Sequence, residues 1–191
     1  VKINNHPFSS SIIQYCYFVE QRIEGYAKRF IDKLASINQK NLEHYDQLLQ
    51  NIAELLIVGH LAESLGQEWT FKDEPTAIGS EKNPEVSIFN GELTILVEVK
   101  SPRYHDYQNK RVNSGLQIPS RINNGFKDIV ESVFGTKAAL PRDNIVKDFL
   151  ISANEKFKYF KINDKNVLSV LVIVWDDFIY EPISALKNDF T

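Results

Sequence analysis

The sequence predicts a mixed α/β domain, a β-sheet flanked by helices, with a helical extension at its N-terminal end. Three observations predict it. Apolar residues recur every three or four positions through residues 12–35 and again through 46–65, the period of amphipathic helices. After Gly66 the period drops to two, the mark of strands. Residues 167–175 then read Val-Leu-Ser-Val-Leu-Val-Ile-Val-Trp, apolar enough for a strand buried on both faces.

The first helix is expected over residues 12–35, with Ile12, Cys16, Val19, Ile23, Ala27, Phe30 and Leu34 on one stripe. Ser11, with Gln14 three residues on, has the spacing of a capping box at its start. The second, from about Asp46 to Leu65, is apolar on nearly every side between residues 52 and 58, so it should be buried, and Gly66 suits its C-terminal cap. A short strand is expected over residues 67–72. Residues 85–89 and 92–100 alternate at period two across Asn90-Gly91, the strongest two-residue hairpin signal. Residues 101–144 read as loop, broken by Pro102, Gly115, Pro119, Gly125, Gly135 and Pro141. A helix near residues 144–160 precedes the last strand, with Ile145, Phe149, Ala153 and Phe157 on its apolar stripe. The whole is one compact unit, residues 1–45 forming the helical extension and 46–191 the α/β core.

Composition narrows the function classes. The 191 residues are 43% hydrophobic and 12% aromatic, enough for a packed core. Lys and Arg total 22 against 25 for Asp and Glu, a net charge of −3, which excludes a globally basic nucleic-acid coat. One cysteine, Cys16, excludes a disulfide scaffold and a Cys-rich zinc module. His6, His44, His60 and His105 show no ligand spacing, so zinc chemistry has little support. Neither a membrane span nor a signal peptide is evident, and a cytoplasmic protein is expected.

The hairpin carries the chemistry. A two-residue turn at Asn90-Gly91 would pair Phe89 with Glu92 and Glu85 with Leu96, making Glu98 the diagonal neighbour of Glu85 on one face. Lys100, two residues on, shares that face, while Val86, Ile88, Ile95, Val97 and Val99 form the core face. Two carboxylates and an ammonium at one end of a hairpin suit metal-assisted phosphodiester hydrolysis. The carboxylates can hold Mg²⁺, with Mn²⁺ as substitute, and the metal acidifies a water and offsets charge on the phosphate. The lysine can orient that water or stabilise the crowded phosphate. The plainer alternative is alternating Glu and Lys on a solvated strand face, which would leave Glu98 exposed.

Asn83-Pro84-Glu85, followed by Glu98-Val99-Lys100 thirteen residues after Glu85 and ending in Ser101-Pro102, resembles the PD-(D/E)XK nuclease superfamily, the restriction-endonuclease-like fold. The resemblance covers about residues 46–175, since that family's core also runs helix, three strands, helix, strand. It implies a Mg²⁺-dependent endonuclease acting on DNA, restriction enzymes included, with Glu85, Glu98 and Lys100 catalytic and Glu85 and Glu98 on the metal. Glu85 departs from the family's usual Asp and extends the carboxylate by one methylene. Many members add a Glu from the helix before the first strand. Glu54 matches best as a metal ligand, with Glu63 the other option, and a helix-surface residue or a buried ion pair is the competing reading of Glu54. Several branches bring a Gln or basic residue from the helix before the last strand, a position Lys156 occupies, although a solvated lysine is the simpler reading.

Residues 101–127 hold Arg103, Lys110, Arg111, Arg121 and Lys127 against one acid, Asp106, a local charge of +4. Tyr104 and Tyr107 are interleaved, so the segment reads as a DNA contact leaving directly from Lys100. The N-terminal helices would serve packing, DNA binding or a homodimer. The alternative to the enzyme is a catalytically inactive nuclease-fold protein that binds nucleic acid or another protein.

Overall fold

The structure, a computed structural model, describes residues 7–37, 42–103, 112–117, 124–139, 145–163 and 166–175. Among them are five helices: α1 (Pro7–Glu20), α2 (Tyr26–Ala35), α3 (Leu42–Ser64), α4 (Asn124–Phe134) and α5 (Ile145–Asn163). The strands are β1 (Thr70–Asp73), β2 (Val86–Phe89), β3 (Thr94–Lys100), β4 (Leu116–Gln117), β5 (Ala138–Ala139) and β6 (Val167–Ile173). The fold is mixed α/β. Its main sheet has the order β1-β2-β3-β6, with β1, β2 and β3 antiparallel in turn and β6 parallel to β3.

Period two along β3 sends alternate side chains to opposite layers. Val97 and Val99 join Val86 and Ile88 against Leu55 and Val58 of α3, with Val19 of α1, Ile23 of the α1–α2 turn and Phe30 of α2 in the same core. The N-terminal helices therefore share one core with the sheet. Each of these aliphatic side chains contributes about 1.5–3 kcal/mol by leaving water. Leu96 faces the other way and packs on Ala153 and Phe157 of α5. The sheet thus lies between α1–α3 and α5.

Three expectations are corrected. The helix expected over 12–35 is two helices. The chain turns at residues 21–25, where Gly25 adopts φ 74° and the Glu20 carboxylate accepts the N–H groups of Gly25 (2.7 Å) and Ala27 (2.8 Å). The apolar stripe runs on through the turn, which hides the break from periodicity. Ser11 does not cap α1. The helix begins at Pro7, whose missing N–H is harmless in a first turn, and Ser11 Oγ donates back to Pro7 O (3.1 Å). The loop expected over 101–144 contains α4, because Gly125 lies in its first turn and Gly135, at φ 63°, just past its end.

The hairpin register also differs. Phe89 pairs with Thr94 and Val86 with Val97, two residues away from the predicted pairing. The connection is a four-residue loop: Asn90 Oδ1 accepts the N–H groups of Glu92 (3.0 Å) and Leu93 (2.9 Å), and Gly91 takes φ 99°. An even shift preserves which face each side chain occupies. The predicted division into core and polar faces therefore survives a wrong register.

Candidate functional site

β2 begins irregularly. The Glu85 N–H donates to Val97 O (3.0 Å), the carbonyl of Val86's partner, so two successive residues address one. That count defines a β-bulge, a device that re-aims a side chain. Glu85 O accepts the Glu74 N–H (3.0 Å), and Glu74 itself takes φ 38° just past β1. The Glu85 backbone is therefore held from both neighbouring strands, and buried Pro84 precedes it.

Glu98 lies on the α5 side of β3 and is 0% exposed, which overturns the reading of a solvated hairpin face. Its Oε1 is 2.7 Å from the Lys100 Nζ and 2.6 Å from the Lys156 Nζ. These are ion-pair contacts rather than aligned hydrogen bonds, and the buried Oε2 has no hydrogen-bond partner among the described residues. Lys156 Nζ also lies 3.8 Å from Glu85 Oε1. One ammonium from α5 thus stands between the carboxylate of Glu98 on β3 and that of Glu85, just ahead of β2. The simple expectation of a solvated Lys156 is wrong, since its side chain is 17% exposed. Lys156 is seven residues beyond Phe149 and three beyond Ala153, inside the apolar stripe, and a lysine there needs a buried acid. That signal was in the sequence.

Burial, then the charges of Glu54 and Glu98, push the Glu85 carboxyl up to about 8, against the pull of Lys156 and Lys100. Burial likewise raises Glu54, with the Glu98 charge in the same direction and the Gln50 hydrogen bond and Lys33 opposing. Glu54 enters from α3 and borders a cavity of about 130 Å³ lined also by Tyr26, Arg29, Phe30, Lys33, Asp73 and Glu74. Arg29 pairs with Asp73 (2.8 Å) and Lys33 with Glu74 (3.2 Å) across it.

The structure therefore brings Glu85, Glu98 and Lys100 together, adds Lys156, and couples Glu54 to them electrostatically. It does not draw Glu54 into one ligand sphere with the other two: among the described residues no group of three or more His, Cys, Asp or Glu could hold a metal ion. Glu63 is exposed near the end of α3. Arg103 is exposed just beyond β3, and Lys127 on α4 is engaged by Glu131 at 3.6 Å. Lys110, Arg111 and Arg121 lie outside the described residues. No described helix is long and apolar enough to cross a membrane. Sequence reasoning missed Gln50, whose amide joins α3 to β3.

Glu85 and Glu98 are the carboxylates that could serve a hard cation, which takes one or two carboxylates and keeps several waters; Glu98 Oε2 has no hydrogen-bond partner among the described residues. The ammonium of Lys156 is the cation that now stands between the two carboxylates. The chain matches no family model, no curated protein and no solved structure.

Proposed function

We propose that this protein is a Mg²⁺-dependent endonuclease that hydrolyses DNA phosphodiester bonds in the cytoplasm, on a restriction-endonuclease-like fold. The observation that carries the reading is the meeting of Glu85, just ahead of β2, and Glu98 of β3 at a single cation, with Lys100 on the same face as Glu98. Apart from β4, α4 and β5, which fall between β3 and α5, the order α3-β1-β2-β3-α5-β6 is the helix, three strands, helix, strand of the PD-(D/E)XK superfamily and supports the reading.

Glu85 and Glu98 would hold the ion, with Glu54 adding negative charge from α3. The bound ion supplies an acidified water and neutralises phosphate charge. Glu85 must give up its proton to serve as a ligand, because burial keeps it neutral at pH 7. Lys156 now holds the place between Glu85 and Glu98 that the ion would take, and would be available to a phosphate at the same site. Lys100, on the partly exposed end of β3, is placed to stabilise charge building on the phosphate oxygens. Arg103, with Lys110, Arg111, Arg121 and Lys127, would contact the DNA backbone.

The test is cleavage of plasmid and single-stranded DNA with Mg²⁺ or Mn²⁺. The parent should nick or cut, and Glu98→Ala should not. A second reading has its own observation: Glu98 is fully buried and already paired with two lysines. Such an arrangement also suits an inactive nuclease-fold module, which would bind DNA or a protein and leave every substrate intact.

A further inference from the structure

Gln50 lies one helical turn before Glu54 on α3, and its side-chain amide makes three contacts. Nε2 donates to Glu54 Oε1 (2.7 Å) and to Val99 O (2.9 Å), and Oε1 accepts the Ser101 N–H (2.6 Å). The backbone geometry explains why an amide is needed. Val97 O faces β2, since it accepts the Glu85 N–H. Backbone groups repeat every second residue along a strand, so Val99 O and the Ser101 N–H point the same way. The β2 ladder stops short of them. Its last pair is Val86 with Val97, Glu85 is spent on the bulge, and Pro84 has no N–H to give. Ser101 is buried, so an unpaired N–H there would be costly. A carboxamide offers a donor and an acceptor in the disposition of a peptide unit. Its second N–H remains for Glu54.

We infer that Gln50 is a positioning residue of the carboxylate site: its amide stands in for the strand residue that β2 does not supply, and so fixes Glu54 and the exit of β3 at Ser101 as one unit. This frees β2 to bulge at Glu85 while β3, carrying Glu98 and Lys100, stays anchored to α3. The functional half of the inference rests on the proposed reading of Glu54 as a negative charge beside the metal-holding pair; the structural half does not.

The experiment uses the full chain and the variant Gln50→Leu, which leaves an apolar side chain, one methylene shorter, and removes every hydrogen bond. Amide exchange followed by NMR should show Ser101 losing protection at least about tenfold while residues 95–97 are unchanged. Equal exchange at Ser101 in parent and variant overturns the clamp. If Gln50→Leu does not fold, Glu54→Ala reads the clamp from its other end: the Gln50 side-chain NH₂ signals should move and exchange faster, and unmoved signals overturn it. Mn²⁺ titration then tests the functional half. Gln50→Leu should weaken Mn²⁺ binding by a few-fold, since Glu54 adds its charge from beside the ligand pair, and that loss should vanish in a Glu54→Gln background. Independent, additive losses would mean that Gln50 does not act through Glu54. A parent that binds no Mn²⁺ removes the nuclease reading, and the Ser101 exchange then decides the positioning role alone.

Discussion

Lys156 of α5 and Glu98 of β3 meet at 2.6 Å where the helix layer lies on the sheet, beside the apolar contact of Leu96 with Ala153 and Phe157. A buried pair of this kind need not add net stability, because both groups lose water. Breaking it is a different matter. Lys156→Met should destabilise by about 3 kcal/mol, the lower end for an uncompensated buried charge, because Lys100 still neutralises part of Glu98. Adding Glu98→Gln should recover most of that loss. Urea unfolding of the two variants measures both, and a Lys156→Met protein as stable as the parent would mean the pair is open to water.

Lys100 has a second role under the proposed chemistry, and kinetics separates it from packing. An interaction made only in the transition state lowers kcat and leaves ground-state binding alone. Lys100→Ala should therefore abolish DNA cutting while binding to a labelled duplex changes little. Cutting at the parental rate would remove Lys100 from the mechanism.

What could be read from the sequence follows from what periodicity encodes. The alternation in β3 separated Val97 and Val99 from Leu96, Glu98 and Lys100 even though the hairpin register was off by two, because an even shift is silent to a period of two. The same alternation is blind to the bulge at Glu85, which depends on where β2 leaves the ladder. The helical stripe through Val19, Ile23 and Phe30 is blind to the turn at Gly25, since all three still reach one core. Gln50 carries no sequence signal of its own. Its bonds to Val99 and Ser101 span some fifty positions, and only the crossing of α3 over β3 creates them.

The basic segment tests the substrate. An acidic chain needs a positive patch to approach a polyanion, and residues 101–127 are where the sequence concentrates one. Neutralising Arg103, Arg111 and Arg121 together should weaken duplex binding whatever its sequence. The plot of log affinity against log salt should become shallower by about 0.9 for each DNA phosphate that the variant no longer neutralises. A salt series with an unchanged slope would remove the segment from the DNA contact.

Glu85 predicts how stability depends on pH. Its carboxyl titrates near 4.5 when unfolded and at about 8 when folded, chiefly because burial disfavours the charged form. Below about pH 4.5 both states hold the proton and folding incurs no penalty from this group. Between about 4.5 and 8 the folded state binds more protons than the unfolded one, so stability falls as pH rises. Above about 8 the penalty is complete and constant. Glu54 shifts in the same direction and adds to the slope. Glu85→Gln removes one of these two contributions. Thermal melts from pH 4 to 9 should therefore show the variant and parent close together at the acid end, with the variant melting increasingly higher up to pH 8. Parallel curves would mean that Glu85 ionises in the folded protein as it does in water. If Glu85 and Glu98 hold a divalent ion, Mn²⁺ binding at pH 7 must also expel the Glu85 proton. Calorimetry in buffers of different ionisation enthalpy counts that proton directly: close to one released by the parent, and close to none by Glu85→Gln wherever it still binds.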